Sequence, residues 1–231
     1  MVRQAVNNSV IMAIEGISFA GKTTLSKSIE TNSKQIKRIY ELSEKFENGA
    51  KFPSFPIDLV QCVKNDLWFY NEECKRSNDV KCDFMHNSII MDRSYLSALT
   101  YCFSRQATFD LGNFEDTKKI IIEGVESGKL IEPYFIYLYM NYDTYLIRKT
   151  QDLEHRKLTL GIEAVENCLV PSNEEYFIKN QISFLDSFYK KNKKHILLLD
   201  CKNSVSTNTE LVTKWKNQLK PKFLNKYDYH F

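Results

Sequence analysis

The segment Gly16-Ile17-Ser18-Phe19-Ala20-Gly21-Lys22-Thr23 carries the pattern G-x-x-x-x-G-K-[ST]. Each fixed position has a mechanical reason. Glycines let the backbone curl so that successive N–H groups point inward at anionic oxygens. The helix that follows then turns the positive end of its dipole toward them. A lysine in the Lys22 position reaches β- and γ-phosphates, and the Thr23 hydroxyl is placed to ligate Mg²⁺. Gly16, Ser18, Phe19, Ala20, Gly21, Lys22, Thr23 and Thr24 are therefore expected to cradle the triphosphate of ATP. The surroundings agree with a P-loop rather than an ordinary turn. Val10 to Ile14 is an apolar run short enough for a buried strand, and Thr23 to Ile29 reads as a helix with Leu25 and Ile29 on one face.

Phosphoryl transfer also needs a carboxylate at the end of a second apolar strand, facing the metal. Asp92, which follows Ser88-Ile89-Ile90-Met91, fits that place, although Asp is also a good helix cap. Arg93 beside it supplies a cation for charge that develops during transfer. A charged helix from Tyr145 to Leu158 carries Arg148, Lys149, Arg156 and Lys157. Arg148 and Arg156 are the expected catalytic pair there, because a guanidinium grips phosphate oxygens two at a time. A solvated face balanced by Asp152 and Glu154 is the plainer alternative. Trp68 and Phe69 offer flat apolar walls on which an acceptor base could stack, and successive helix positions point different ways, so only one or two of the local aromatics can face a pocket.

The elements that must position these residues alternate strand and helix along the chain. Further strands are expected at Ile36–Tyr40, Asn87–Met91, Tyr134–Met140 and His195–Asp200. Helices are expected at Asp58–Arg76, Tyr95–Phe103, Phe114–Val125, Glu174–Lys190 and Leu211–Leu219. Such alternation argues for a parallel sheet covered on both faces, a three-layer α/β/α arrangement in a single domain over residues 1–231. A net charge of +3, from 32 basic and 29 acidic residues, gives no support to nucleic acid as a partner. Six cysteines without a C-x-x-C pair, and four histidines, argue against zinc and for a reducing compartment. No apolar stretch reaches the length of a membrane span and no signal-peptide pattern opens the chain, so a soluble cytoplasmic protein is expected.

Two stretches resemble a known family. Glu15 to Thr24, E-G-I-S-F-A-G-K-T-T, is similar to the opening of thymidylate kinases, and Asp92 to Tyr101, D-R-S-Y-L-S-A-L-T-Y, resembles their D-R-Y-x-x-S-x-x-A-Y-Q segment. The resemblance implies a P-loop NTPase fold of five parallel strands with a helical lid, here about residues 148–172. It implies ATP and Mg²⁺ as cofactors and transfer of the γ-phosphoryl group to a pyrimidine nucleoside monophosphate. Arg93 would contact the reacting phosphates, and Ser97 and Tyr101 would border the acceptor base. A homodimer is open by the same resemblance, with no interface legible in the sequence.

The departures bear on the acceptor. The arginine that holds the acceptor phosphate in that family falls on Leu67 here, and its Tyr and Gln fall on Ser94 and Cys102. Asp92-Arg93-Ser94 is also similar to the E-R-S signature of deoxynucleoside kinases, whose general-base Glu follows the second strand, where Glu41 stands with Glu44 as a neighbouring competitor. The alternative reading is thus a kinase that phosphorylates a nucleoside. A second alternative is a nucleotide-binding regulatory protein without kinase activity.

Overall fold

The structure is a computed structural model and describes residues 9–45, 53–84, 87–160, 173–220 and 229–231, with the side chains of Lys45 and of residues 155–160 not included. Five strands form it: β1 (Ile11–Glu15), β2 (Ile36–Ile39), β3 (Ser88–Asp92), β4 (Tyr134–Tyr139) and β5 (Ile196–Asp200). They make one sheet in the order β2-β3-β1-β4-β5, every pairing parallel. The fold is of the P-loop NTPase type.

The sheet order follows from burial. β1 and β3 are buried at every residue and β4 at all but Tyr139, as strands covered on both faces must be. Between them run α1 (Lys22–Thr31), the short α2 (Leu42–Lys45), α3 (Leu59–Phe84), α4 (Tyr95–Phe109), α5 (Phe114–Glu126), α6 (Tyr142–Leu160), α7 (Glu174–Asn192) and α8 (Val205–Lys216). α1 packs with α8, while α4 packs against α3, α5 and α7. The chain leaves β1 for the β2–β3 side of the sheet and then crosses to β4 and β5 on the other. That reversal opens a crevice at the carboxyl ends of β1 and β3, where open α/β sheets bind ligands.

Boundaries differ from expectation where polar residues hide a helical stripe. α3 runs to Phe84 rather than Arg76, because Glu73, Arg76, Ser77, Val80 and Phe84 form one buried face that begins with charged residues. α8 starts at Val205 rather than Leu211, set by Ser204, whose side chain accepts from the Thr207 N–H. α4 continues to Phe109, stopped by Asp110 in a left-handed conformation. Residues 161–172 of the expected lid, Cys168 among them, lie outside the described residues.

Gly16 ties the loop to the sheet. Its φ is +152°, and a Cβ there would lie 2.6 Å from the Leu138 carbonyl oxygen of β4. Gly128 also has a left-handed φ, +72°, but nothing stands within 4 Å of its added Cβ. Gly16→Ala is therefore expected to destabilise the fold by about 2 kcal/mol or more, and Gly128→Ala by about 1 kcal/mol from backbone strain alone. Urea denaturation of the two variants checks the ranking; equal losses would contradict it.

Candidate active site

The loop after β1 wraps Lys22 rather than exposing it. Gly21, with φ +95°, precedes the first turn of α1, and Phe19 is held at φ +62°. The Lys22 ammonium donates to the Ile17 carbonyl at 2.8 Å and is buried. Burial, and then the nearby charge of Arg93, pull its pKa down to about 7. The negative charge of a bound triphosphate would oppose both influences and raise the pKa again. Thr23 lies one residue on, and Thr24 is exposed on the outer side of α1.

Arg148 reaches this loop, though not as a free cation. Its guanidinium donates to the carbonyls of Ala20 at 2.9 Å, Phe19 at 3.3 Å and Cys201 at 2.6 Å, so it ties the P-loop to the turn after β5. It therefore stands at the P-loop with its donors spent on main-chain oxygens. The side chain of Arg156 lies outside the described residues.

Asp92 ends β3 fully buried, level with Ile14 of β1. Its Oδ2 accepts from Arg38 Nη2 at 2.8 Å and from Ser26 at 3.2 Å; Arg38 Nε donates to Ser26 Oγ at 2.7 Å, and Arg38 Nη2 also pairs with Glu44. Burial alone would raise the Asp92 pKa. Hydrogen bonds from Arg38 and Thr23 and the charges of Lys22 and Arg93 outweigh it, so the carboxyl stays below the usual range and ionised. Asp92 Oδ1 is buried without a hydrogen-bond partner, an acceptor suited to a metal-bound water. No cluster of three or more carboxylate, His or Cys side chains that could cage a metal occurs among the described residues. A Mg²⁺ that arrives with phosphate oxygens would find the Thr23 hydroxyl and the Asp92 carboxylate as the protein's oxygen donors. Arg38 was not legible as a site residue. The only signal was its period-2 alignment with Ile36, which turns it inward on β2.

On the other side of Arg93 lies a cavity of about 290 Å³. Arg93 adopts φ +64°, uncommon for a non-glycine residue, and the Arg76 guanidinium from α3 braces it by donating to the Asp92 and Arg93 carbonyls at 3.1 and 3.3 Å. The Arg93 side chain pairs with Glu41 at 2.7 Å and donates to Gly16 O at 3.2 Å and Ser97 Oγ at 3.3 Å. Ser97 and Ser94 each donate to one oxygen of Glu15 at 2.5 Å. Burial drives Glu15 up to about 7, in spite of those two hydroxyls and the charges of Arg93 and Lys22.

Of the expected acceptor residues, Glu41, Phe69, Ser97 and Tyr101 line this cavity. Trp68 does not; the helix turns it away, and its ring meets Phe69 edge-on at 5.1 Å. Leu67 is exposed and does not line it either. Tyr101 packs with Phe55 and Phe177, at 6.3 and 5.0 Å between ring centroids. At the far end Asp66 pairs with Arg105 at 2.7 Å, and Arg105 is almost wholly buried. Three arginines thus line the cavity, and each is matched by a lining carboxylate: Arg76 with Glu73, Arg93 with Glu41, Arg105 with Asp66.

No family model matches the sequence, and no curated protein matches it. Solved structures do match in shape. A deoxyadenosine kinase from M. mycoides with the products dCMP and a flexible dCDP superposes with a TM-score of 0.65 at 22% identity, over 91% of this chain and 100% of that one. The same enzyme with bound dCTP gives 0.64 at 21%, over 91% and 100%, and with bound dATP 0.63 at 20%, over 90% and 100%. The chain shares the fold of these kinases. Glu15 and Asp92 at the ends of β1 and β3, Lys22 at the start of α1 and Arg93 after β3 thus sit on a fold that these kinases share.

Glu15 yields a pH test of the geometry. Its folded pKa of about 7 exceeds the ordinary 4.5, so its contribution is fully present below 4.5 and is lost as pH rises toward and through 7. Glu15→Gln is expected to be more stable than the wild type at pH 8, by on the order of 2–3 kcal/mol, with the gap closing toward pH 4.5. Melting curves across that range read it directly. A gap that does not change with pH would mean Glu15 ionises normally.

Proposed function

We propose that the chain is an ATP- and Mg²⁺-dependent nucleoside kinase, transferring the γ-phosphoryl group to the 5′-hydroxyl of a deoxynucleoside. The observation that carries this is the charge balance of the cavity. Among its described lining residues each arginine already faces a carboxylate, so an uncharged acceptor enters without disturbing any pair. An acceptor that bears a phosphate would have to draw a guanidinium from its partner, with Leu67 standing exposed where the thymidylate kinases resembled by the sequence hold their clamp. The match in fold to a deoxyadenosine kinase supports the same reading.

In this reading the P-loop N–H groups and Lys22 hold the β- and γ-phosphates. Bound Mg²⁺ would screen the phosphate oxygens, held by the Thr23 hydroxyl and, through water, by Asp92. Glu41 accepts the proton from the 5′-hydroxyl as its oxygen attacks the γ-phosphorus. The bond to the β–γ bridging oxygen breaks, and ADP departs with its electron pair. Arg93, fixed between Glu41, Gly16 and Ser97, neutralises charge on the transferring group. Little covalent work falls to the protein, so positioning carries the rate.

ADP formation with Mg·ATP is expected with at least one deoxynucleoside and not with its 5′-monophosphate. Glu41→Gln is expected to lower kcat with that nucleoside about 100-fold or more while ATP binding persists. Turnover confined to monophosphates, with Glu41→Gln near wild type, would return the protein to the thymidylate kinase type. Tight ATP binding with no acceptor-dependent turnover would instead favour a regulatory role.

A further inference from the structure

Gln181 on α7 is 93% buried, its exposure being 7%, and it lines the acceptor cavity. Its carboxamide has no hydrogen-bond partner among the described residues. The polar side chains around it are otherwise engaged. Thr100 and Ser104 donate to main-chain carbonyls one turn back, and Arg105 is held by Asp66 and by the Leu111 carbonyl. Gln181 is not among the residues whose polar atoms are sealed off without a partner, so its unpaired carboxamide opens on the space of the cavity that it lines. Packing alone would be served by an apolar side chain, as it is one turn on at Leu185, which lines the same cavity.

Its level in the cavity is fixed by its neighbours. Asn180 donates to Thr108 at 3.0 Å, and the Phe184 ring meets that of Phe103 at 5.2 Å, so the turn between them stands beside the Arg105 turn of α4. That turn lies about 15 Å along the helix from its start near Arg93. Gln181 is therefore at the end of the cavity away from the Glu41–Arg93 pair.

We infer that Gln181 is a specificity-determining residue that hydrogen-bonds the heterocyclic base of the acceptor through its carboxamide. The inference rests on the nucleoside kinase reading for the identity of the acceptor. A carboxamide presents one acceptor oxygen and an N–H donor, so by rotation it pairs with either the amino group or the carbonyl oxygen that a base carries outside its ring. Replacing it by a carboxylate keeps size and shape and removes the donor. A base that presents an amino group there is still bound, and one that presents a carbonyl oxygen is repelled.

The test is equilibrium binding of two matched pairs, deoxycytidine with deoxyuridine and deoxyadenosine with deoxyinosine, which differ in an amino group against an oxygen. Calorimetry on the wild type, Gln181→Glu and Gln181→Leu gives the affinity ratio within each pair. Gln181→Glu is expected to shift the ratio toward the amino member by about 10-fold or more in at least one pair, at unchanged ATP affinity. Gln181→Leu is expected to weaken both members of that pair. Unchanged ratios in Gln181→Glu would overturn the inference, including the case where both variants weaken every nucleoside alike and melt early, which marks a packing role. If the wild type binds no nucleoside, the inference and the nucleoside kinase reading fall together. If it binds them without transfer, the kinase reading falls and the ratios still decide Gln181.

Discussion

Where β1 and β3 end, the chain buries guanidinium groups directly against carboxylates, and the arrangement of the site depends on that pairing. A charge taken out of water without a partner neutralises or forces the structure open. Arg38 is nearly inaccessible and survives there because Asp92 and Glu44 face it. Arg76 survives because Glu73 and two main-chain carbonyls face it, and in holding those carbonyls it stabilises the left-handed turn at Arg93. The direction of the Arg93 side chain, toward the Gly16 carbonyl on one side and Glu41 on the other, follows from that turn.

The pairing also divides the crevice by charge. On the P-loop side Lys22 is buried with its pKa drawn down and its ammonium donating to a main-chain carbonyl, a group that gains when a polyanion arrives. On the acceptor side the cations are already matched, and the wall is completed by Phe55, Phe69 and Tyr101. An electropositive cradle beside a neutral, partly aromatic cavity suits one highly charged and one uncharged substrate. Glu15 and its two serines lie between the halves and set the first turn of α4.

How much of this was legible depends on whether a role is carried by local spacing. The P-loop, the strand before it and Asp92 at the end of β3 can be read from contiguous residues, and the five strands were placed to within a residue or two. Glu41 could be proposed from resemblance alone; its pairing with Arg93 joins residues far apart in the chain. Arg38 was missed because an arginine in a short strand reads as solvated unless its partner is known. Asp66 with Arg105, and Gln181 on a helix that reads as packing, were invisible for the same reason. Trp68 and Phe69 could not be separated by type, and one step of helical rotation decides between them. Arg148 reaches the P-loop, but nothing in a charged helix predicts that its partners are carbonyl oxygens.

The central claim is that the acceptor cavity is matched in charge and takes an uncharged acceptor. The most direct measurement is calorimetric affinity for a deoxynucleoside and for its own 5′-monophosphate, on the same protein with a non-hydrolysable ATP analogue and Mg²⁺ bound, at two salt concentrations. The account predicts that the nucleoside binds more tightly and that its affinity hardly changes with salt. A monophosphate that binds tenfold or more tightly, and loosens as salt rises, would show an unmatched cation in the cavity and contradict the account.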